Sequence, residues 1–452
     1  MRKHINKVLQ TASGSGNISL YPIFSVNFVG TLGFSIVLPF LVFLVTRFGG
    51  NAFIYGIMGA TYSVFQLIGA PILGKWSDIH GRRKILLLSQ LGTLFSWVIF
   101  LSALFLPSNP LMSIESEMTG AFTLTLPLII LFFSRAFDGI TGGNVSVANA
   151  YLADITEESN RSKNFGKMAV SANLGFIVGP ALAGILGATS LGEILPVLAA
   201  LLISVIATLI IIFYLPESKP RPITIDPEAV NVRKVMGQEQ KECFQIECKN
   251  KLSFSDLLRL PNVSWILMIY FLVFLGFNFF YIAFPVHAVH ALKWNLTDTG
   301  IFFSFMGIIM VTVQGPLLSY LSKIWTDNLL VFRGSFILAI SFLFYLSESK
   351  LMIYSGAVLL SLGNGIMWPS ILSLLSKSID SKFQGAIQGF ASSSGSVASI
   401  IGLLAGGILY EQLGSIIFLI AGMIIFLTFL MTIRFFYMKT DTKNSDLWEK
   451  TI

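Results

Sequence analysis

Two ionisable residues lie within a long apolar stretch of the sequence and could take part in moving a proton across a membrane. Arg135 and Asp138 are three positions apart, so on a helix they share one face. A charge at the bilayer centre costs at least ~2.5–3.5 kcal/mol, and such residues usually face a cavity and have a function. Two interpretations stay open: Asp138 carries a proton while Arg135 tunes its pKa, or the two form a static ion pair.

The polar segment before this stretch combines residues suited to a latch between helices. Positions 74–84 read GKWSDIHGRRK. Gly74 allows a close helix approach, and Gly81 permits a tight turn. Asp78 can accept hydrogen bonds from a neighbouring helix N-terminus, and Arg82, followed by Arg83, offers a planar fork to carboxylates. The alternative is a basic loop that only sets topology.

Two further motifs follow the charged pair. The first motif combines GITGG at positions 139–143 with AYLADIT at positions 150–156, which contains Asp154. Arg161 and Phe165-Gly166 follow it. The second motif, GFIVGPALAG, has small residues four apart, which permit close helix packing, and a proline that kinks a helix. Its key positions are Gly175, Gly179, Pro180 and Gly184.

These motifs resemble those of the major facilitator superfamily, in its drug:proton antiporter branch, and are similar to those of the tetracycline/proton antiporters. The resemblance implies that Asp154 joins Asp78 and Arg82 in a cytoplasmic salt-bridge cluster that holds the outward-facing state. A solvated loop carboxylate is the alternative. The resemblance also associates Arg135 with proton coupling and the GFIVGPALAG motif with export.

The sequence departs from the family pattern at three positions. Gly30 stands where the tetracycline type usually has Asp, and Asp138 stands where a small residue is usual. Ala183 replaces a usual Gly. These departures put tetracycline itself in doubt as the substrate, and Asp138 could take over the role of the missing carboxylate.

The elements that position these residues are predicted to be membrane-spanning helices. The 452 residues are 54% hydrophobic, only 12% charged and include 40 Phe. A soluble protein of this composition would expose large apolar patches, whereas lipid accepts them. Apolar stretches of about 20 residues recur along the chain. The predicted spans are roughly 22–46, 53–74, 84–106, 124–152, 164–187, 192–215, 262–290, 298–321, 329–347, 351–376, 386–410 and 415–437.

The basic residues predict the orientation. With both termini on one side, that side carries 26 of the 30 Lys and Arg residues, and the other carries only Arg47, Lys293 and Lys350. The positive-inside rule then places both termini in the cytoplasm of a multi-pass cell-membrane protein. No signal peptide is expected within residues 1–20. Because the basic residues are spread over alternate loops, a nucleic-acid partner is not expected.

The chain is predicted to consist of two related halves. Residues 1–215 and 262–452 each form a six-helix bundle, and 216–261 form a cytoplasmic linker that holds Cys243 and Cys248, expected as reduced thiols. Shifts of 223 and 245 positions align Gly residues and Pro71 with Pro316 between the halves. This predicts an all-α membrane protein of twelve helices in two pseudo-symmetric bundles, with the substrate between them.

The same shifts predict a second gate with inverted charges. Asp78 aligns with Lys323, Arg82 with Asp327, and Asp154 with Lys377. We therefore expect Asp327 to bridge Lys323 and Lys377.

The walls of the substrate site are expected on spans one, four, seven and ten, and aromatic walls with few polar groups suit amphipathic or aromatic organic compounds. The alternative for each aromatic residue is contact with lipid. The candidates are Asn144, Phe274, Phe277, Asn278, Tyr281, Asn364, Met367 and Trp368.

The favoured function is proton-coupled export of a small amphipathic or aromatic compound by a monomer. A phosphate-binding GxxxxGK[ST] loop does not occur in the sequence, and neither a cofactor nor a metal is expected. A proton-coupled importer of a metabolite and a non-transporting sensor or scaffold on the same fold stay open. A membrane-embedded enzyme would need a cluster of catalytic groups at membrane depth, and only Arg135 and Asp138 are found there.

Overall fold

The computed structural model describes residues 19–142, 144–156, 161–218, 263–377 and 384–434, and within them the chain forms twelve helical segments. The first six segments comprise α1 (Tyr21–Ser35), α2 (Leu38–Arg47), α3 (Ala52–His80), α4 (Arg82–Ala103), α5 (Leu126–Thr141), α6 (Asn144–Ile155), α7 (Arg161–Gly187) and α8 (Ile194–Tyr214). The last six comprise α9 (Val263–His290), α10 (Leu296–Thr312), α11 (Leu318–Ile324), α12 (Asp327–Ser341), α13 (Lys350–Lys377), α14 (Gln384–Leu413) and α15 (Ile416–Thr432).

Most of these segments are suited to crossing a bilayer. Ten are long and apolar enough to do so, and α15 is a shorter apolar helix. The remaining segment is α5 followed by α6, which contains Arg135 and Asp138 and is interrupted at Gly142. Helices satisfy their own backbone hydrogen bonds, which explains why a chain this apolar folds in this way.

Three further segments depart from a single α-helix. The first is divided between α1 and α2, and the eighth passes through a π-helical turn, Val313–Leu317, between α10 and α11. The ninth ends in a 3-10 turn, Phe342–Leu346. The π turn contains Pro316, which has no amide hydrogen to donate to the helix.

A β-hairpin lies between the third and fourth segments and was not predicted. Its strands are β1 (Pro110–Ser116) and β2 (Gly120–Thr125), paired antiparallel. We call the end of the bundle that holds this hairpin the hairpin end, and the opposite end, where α8 leads into the predicted linker, the linker end. Thr123 donates its backbone N–H to Gly49 O at 2.8 Å, which attaches the hairpin to the loop before α3.

Two helix crossings bring the halves into backbone contact near the hairpin end. At the first, a Cβ added to Gly56 of α3 would lie 2.5 Å from the carbonyl oxygen of Leu403 and 3.2 Å from the Cα of Gly407, both on α14. At the second, a Cβ on Gly184 of α7 would overlap the Cα of Gly300 on α10. Glycines at both crossings thus allow the two halves to approach closely.

Candidate functional site

Arg135 and Asp138 are buried together in the middle of the fourth segment. They are 3% and 6% exposed, and Arg135 Nη1 lies 3.6 Å from Asp138 Oδ2. Arg135 is nine residues into α5, about 14 Å along the helix, which corresponds to the centre of a bilayer. The separation is longer than the 2.7–2.9 Å or so of a charge-assisted hydrogen bond, so the two groups are close without being tightly bonded.

Aromatic rings surround the guanidinium. Its central carbon lies 4.7 Å from the ring centre of Tyr62 and 5.4 Å from that of Phe34, distances at which a ring face stabilises a cation. Arg135 Nε is buried and has no hydrogen-bond partner among the described residues. The Thr93 side chain lies close to the Asp138 carboxylate. Both charged groups thus keep unused hydrogen-bonding capacity.

The helix that carries the pair is interrupted one turn beyond Asp138. Gly142 is non-helical, and α6 begins at Asn144. Gln66 Nε2 donates to Gly142 O at 3.1 Å, and the Ser89 hydroxyl donates to Thr141 O. Polar side chains of the second and third segments therefore satisfy carbonyl groups that the interruption frees, as backbone polar groups at membrane depth require.

At the linker end, Arg82 and Asp154 form a buried ion pair. Arg82 Nε lies 3.0 Å from Asp154 Oδ2, and the side chains are 4% and 2% exposed. Arg82 also donates from Nη1 to Ser77 Oγ at 2.6 Å, while Ser218 Oγ donates to Asp154 Oδ2 at 3.1 Å. The guanidinium of Arg82 thus connects α3, α4 and α6, all of which belong to the same half.

Neighbouring residues attach the end of α8 to this cluster. Glu217 accepts from Arg83 N at 3.2 Å, and Arg83 Nη2 donates to Ile212 O at 2.6 Å. Gly81 has a φ of 96°, which favours glycine, and a Cβ there would lie 2.7 Å from Glu217 Oε2. Glycine at this position therefore provides both the turn and the space.

Not every member predicted for this cluster can be placed. The side chains of Asp78 and Arg161 lie outside the described residues, although their backbones belong to the last turns of α3 and the start of α7. The carbonyl of Gly74 accepts a hydrogen bond from Ser77 Oγ at 2.6 Å. The Arg82–Asp154 pair joins elements of one half, so the halves can separate at this end without breaking it.

Removing Arg82 should destabilise the protein strongly. Arg82→Ala breaks the buried ion pair with Asp154 from one side, which costs about 3–5 kcal/mol in free energy of unfolding. The double variant Arg82→Ala/Asp154→Ala should recover part of this loss because the buried carboxylate is removed together with the guanidinium that compensates it. Thermal unfolding of the purified protein measures both, with the exposed neighbour in Lys84→Ala as control. A normal unfolding temperature for Arg82→Ala would contradict a structural role.

The glycines of the GFIVGPALAG motif contact two different partners. Cβ atoms on Gly175 and Gly179 would collide with α1, within the same half, and Ser35 Oγ donates to Gly175 O at 2.8 Å. Gly184 instead contacts Gly300 of the other half. Pro180 is buried inside α7, which continues through it to Gly187. The motif thus joins the first and fifth segments and also forms one crossing between the halves.

In the second half, Asp327 contacts one of its two expected partners. Lys377 Nζ lies 2.6 Å from Asp327 Oδ2, and Ser373 Oγ donates to the same oxygen at 2.7 Å. Lys323 is exposed, and no ion pair joins it to Asp327 among the described residues. The Lys377 side chain is 70% exposed, so the pair is worth only about 0–1 kcal/mol.

Two of the aromatic residues expected around the substrate, Phe274 and Trp368, form one group with Tyr270. Trp368 of α13 lies 5.0 Å from both Tyr270 and Phe274 of α9, measured between ring centres. Phe277 and Tyr281 form a second contact at 4.7 Å. These side chains, apart from the more buried Tyr270, are half-buried. They provide flat apolar surfaces on the seventh and tenth segments.

Other expected wall residues are placed differently. Met367 is fully buried, and the backbone of α12 at Gly334 lies against it. Its side chain is therefore packed against another helix of the second half. Asn278 Nδ2 donates to Ser399 Oγ on α14 at 3.1 Å. Asn364 is half-buried, and the side chain of Asn144 lies outside the described residues.

Comparison with known families decides what this arrangement is. The sequence model of the Major Facilitator Superfamily matches residues 23–398 and 330–450, which cover most of the chain. The chain belongs to the Major Facilitator Superfamily. It is therefore a multi-pass membrane transporter and not an enzyme, and the prediction of an all-α major facilitator fold is confirmed.

Several members of this superfamily resemble the chain along most of its length. The tetracycline resistance protein, class H, of Pasteurella multocida is 25% identical over 94% of this chain and 98% of its own length. Multidrug resistance protein 2 of Bacillus subtilis is 24% identical over 87% and 90%. The crystal structure of the human organic anion transporter MFSD10 (TETRAN) superposes with a TM-score of 0.65 at 22% identity, over 91% and 98%.

Several contacts of this superfamily member were missed by sequence reasoning. Tyr62 and Thr93 lie beside the Arg135–Asp138 pair, and Gln66 binds the carbonyl of Gly142 one turn away, but all three come from other segments and have no local signal. Glu217 lies within the predicted linker and Glu411 near the end of α14. The interruption at Gly142 had a detectable signal, because two consecutive glycines within a helix favour a break.

Proposed function

We propose that this transporter exports a small amphipathic or aromatic compound in exchange for protons. The observation that carries the proposal is the buried, loosely bonded Arg135–Asp138 pair at mid-depth of the fourth segment. In a static ion pair, short hydrogen bonds would join the guanidinium to the carboxylate, and no N–H donor would stay unused. Here the buried Nε of Arg135 has no hydrogen-bond partner among the described residues.

Protonation of Asp138 changes the net charge at this depth by one. With Asp138 ionised, the carboxylate compensates the charge of Arg135. With Asp138 protonated, the guanidinium keeps its contacts with the rings of Tyr62 and Phe34 and is available to electronegative groups of a compound. The two protonation states therefore differ in the free energy of a buried charge, which is the difference a coupled transporter needs.

The aromatic groups favour an aromatic or amphipathic compound. Tyr270, Phe274 and Trp368 offer ring faces on the second half. Tyr55 lies close enough to both Arg135 and Tyr281 to interact electrostatically with each, so the charged pair and the second half are near one another. The names of the tetracycline and multidrug resistance relatives agree with this class of compound.

The orientation completes the proposal. The excess of Lys and Arg puts the linker end and both termini in the cytoplasm, so the hairpin end faces outward. The two glycine crossings near the hairpin end then belong to a state that is closed on the outside. Arg82, Arg83 and Asp154 support the cytoplasmic ends of the first half, and Asp327 with Lys377 does so in the second.

Purified protein in liposomes tests this function. Liposomes containing a pH-sensitive dye are loaded with a compound and diluted into compound-free buffer of the same pH, with the membrane potential clamped. Efflux of the compound should acidify the lumen if protons move in exchange. The panel includes tetracycline and permanently charged aromatic cations, which cannot carry protons passively. Protein-free liposomes are the control.

The sign of the signal separates the candidate functions. A lumen that becomes alkaline as the compound leaves would indicate symport and favour an importer. This sign does not depend on the direction in which the protein inserts. No signal with any compound of the panel would contradict export of this class of compound.

A further inference from the structure

The helix pair α3 and α14 carries an acidic contact near the hairpin end that the motifs do not include. Ala52 occupies the first turn of α3, and its backbone N–H has no acceptor within its own helix. Glu411, in the last turn of α14 and in the other half, accepts from it with Oε1 at 2.7 Å. The carboxylate also lies at the positive end of the α3 dipole, which stabilises it there.

The β-hairpin covers this contact from the loop side. Asn51 Nδ2 donates to Thr119 O at 2.6 Å, and Gln412 Nε2 donates to Met118 O at 3.4 Å. The hairpin tip therefore touches residues next to both partners of the contact. Gly120, with a φ of 72°, lies so near that an added Cβ would be 2.9 Å from Glu411 Oε2.

The register of the two helices gives this contact a counterpart at the other end. Ala52 is paired with Glu411 and Gly56 with Gly407, so the helices run antiparallel. In the same register Asp78 is level with Gly385, in the first turn of α14. The start of α3 is thus level with Glu411 near the end of α14, and the start of α14 is level with Asp78 near the end of α3.

We propose that Glu411 is an outer gate residue, whose carboxylate caps the first turn of α3 when the hairpin end is closed and must leave it for that end to open. Closing the hairpin end places Glu411 on α3, and closing the linker end brings Asp78 towards the start of α14. One pair of helices then carries alternate caps at its two ends. The location of this gate on the outside rests on the proposed orientation.

Two substitutions weaken or remove the contact from opposite sides. Glu411→Gln removes the charge and leaves a neutral amide oxygen as the acceptor for Ala52 N–H. Ala52→Pro removes the donor, and proline is tolerated at the first helical position because that N–H is not used within the helix. Asn51 has φ −117° and ψ −167°, an extended conformation that a following proline allows. The matched control is Glu193→Gln, which removes another hairpin-end carboxylate, one that pairs with Arg47 of the same half.

The readout is the labelling rate of a single cysteine by a membrane-impermeant maleimide. Ser304→Cys, in a full-length chain with Cys243 and Cys248 replaced by Ser, reports on the other crossing, where Ser304 Oγ donates to Ala181 O at 3.3 Å. Intact cells and inverted vesicles are both labelled, so the side that reacts tests the orientation separately.

Labelling should rise about threefold to tenfold in Glu411→Gln and in Ala52→Pro, since the first variant loses the charge that strengthens a partly exposed hydrogen bond and the second loses its donor. The double variant should label no faster than the faster single variant. The Glu193→Gln variant should label at the same rate as the protein that carries only Ser304→Cys. Unchanged labelling in both single variants, additive effects in the double variant, or an equal rise in Glu193→Gln would overturn the proposal. This labelling requires no transport, so the exchange of compound for protons can fail while the gate assignment stands.

Discussion

Replacing Asp138 with Asn should abolish compound-driven proton movement while the protein stays folded. Asn has the shape of Asp and can still face the nearby Thr93 side chain, but it cannot bind and release a proton. Luminal acidification by compound-loaded proteoliposomes is the measurement. The signal should fall about a hundredfold, because an unpaired charge at mid-depth costs at least ~2.5–3.5 kcal/mol and the proton carrier itself is gone.

A second measurement separates proton coupling from binding of the compound. With equal compound on both sides, exchange of labelled compound across the membrane needs no net proton movement. If Asp138 only carries the proton, Asp138→Asn should retain this exchange. If the pair also holds the compound, exchange should be lost together with acidification. Asp298→Asn is the matched control, since Asp298 caps the start of α10 outside the apolar core.

Survival of acidification in Asp138→Asn would assign the pair a static role and place the proton carrier elsewhere.

The variant Arg135→Lys tests the same site independently. Lys keeps the positive charge but loses the planar group that lies over Tyr62 and Phe34. If the rings hold the guanidinium during the cycle, acidification should fall in this variant while the unfolding temperature changes little.

Local sequence patterns were sufficient for the helices and for the charged pair. Apolar length predicts a spanning helix because the bilayer imposes one dimension on every segment. The spacing of Arg135 and Asp138 predicts a shared face because the helix repeat is fixed. The Lys377–Asp327 contact also lies where the alignment of the two halves placed it, although Lys323 does not join it.

Contacts between distant segments were outside the reach of those patterns. Tyr62, Gln66 and Glu411 look ordinary in their own segments and gain a role only from what packs against them. The same limit applies to Met367, whose burial depends on Gly334 of another helix. The β-hairpin lies mostly in the segment 107–123 between two predicted spans, where no lipid constraint sets the conformation.

Adding a single methyl group at Gly184 should also greatly impair transport, by a purely steric route. The Cβ of Gly184→Ala would overlap the backbone of Gly300, and backbone atoms cannot rotate away as a side chain can. Overpacking of this kind costs about 1–3 kcal/mol, which lowers the population of the state closed at the hairpin end about 5-fold to 150-fold. The rate of compound-driven acidification should fall accordingly.

The contact can be tested from either side. Gly300→Ala should reproduce the effect of Gly184→Ala, because its Cβ would overlap Gly184. Gly315→Ala is the matched control: it lies in the same segment as Gly300, and a Cβ there has no atom within 4 Å. Both interface variants should increase labelling of Ser304→Cys by impermeant maleimide, whereas Gly315→Ala should not.

The two interface variants also distinguish a moving contact from a static one. If the crossing of α7 and α10 opened and closed in each cycle, the methyl group would penalise only the closed state, so labelling would rise while the unfolding temperature stayed nearly constant. If the crossing were a permanent joint, the same overlap would destabilise every state and lower the unfolding temperature without a selective rise in labelling. Unaltered transport in both variants would mean that the halves need not approach this closely during the cycle.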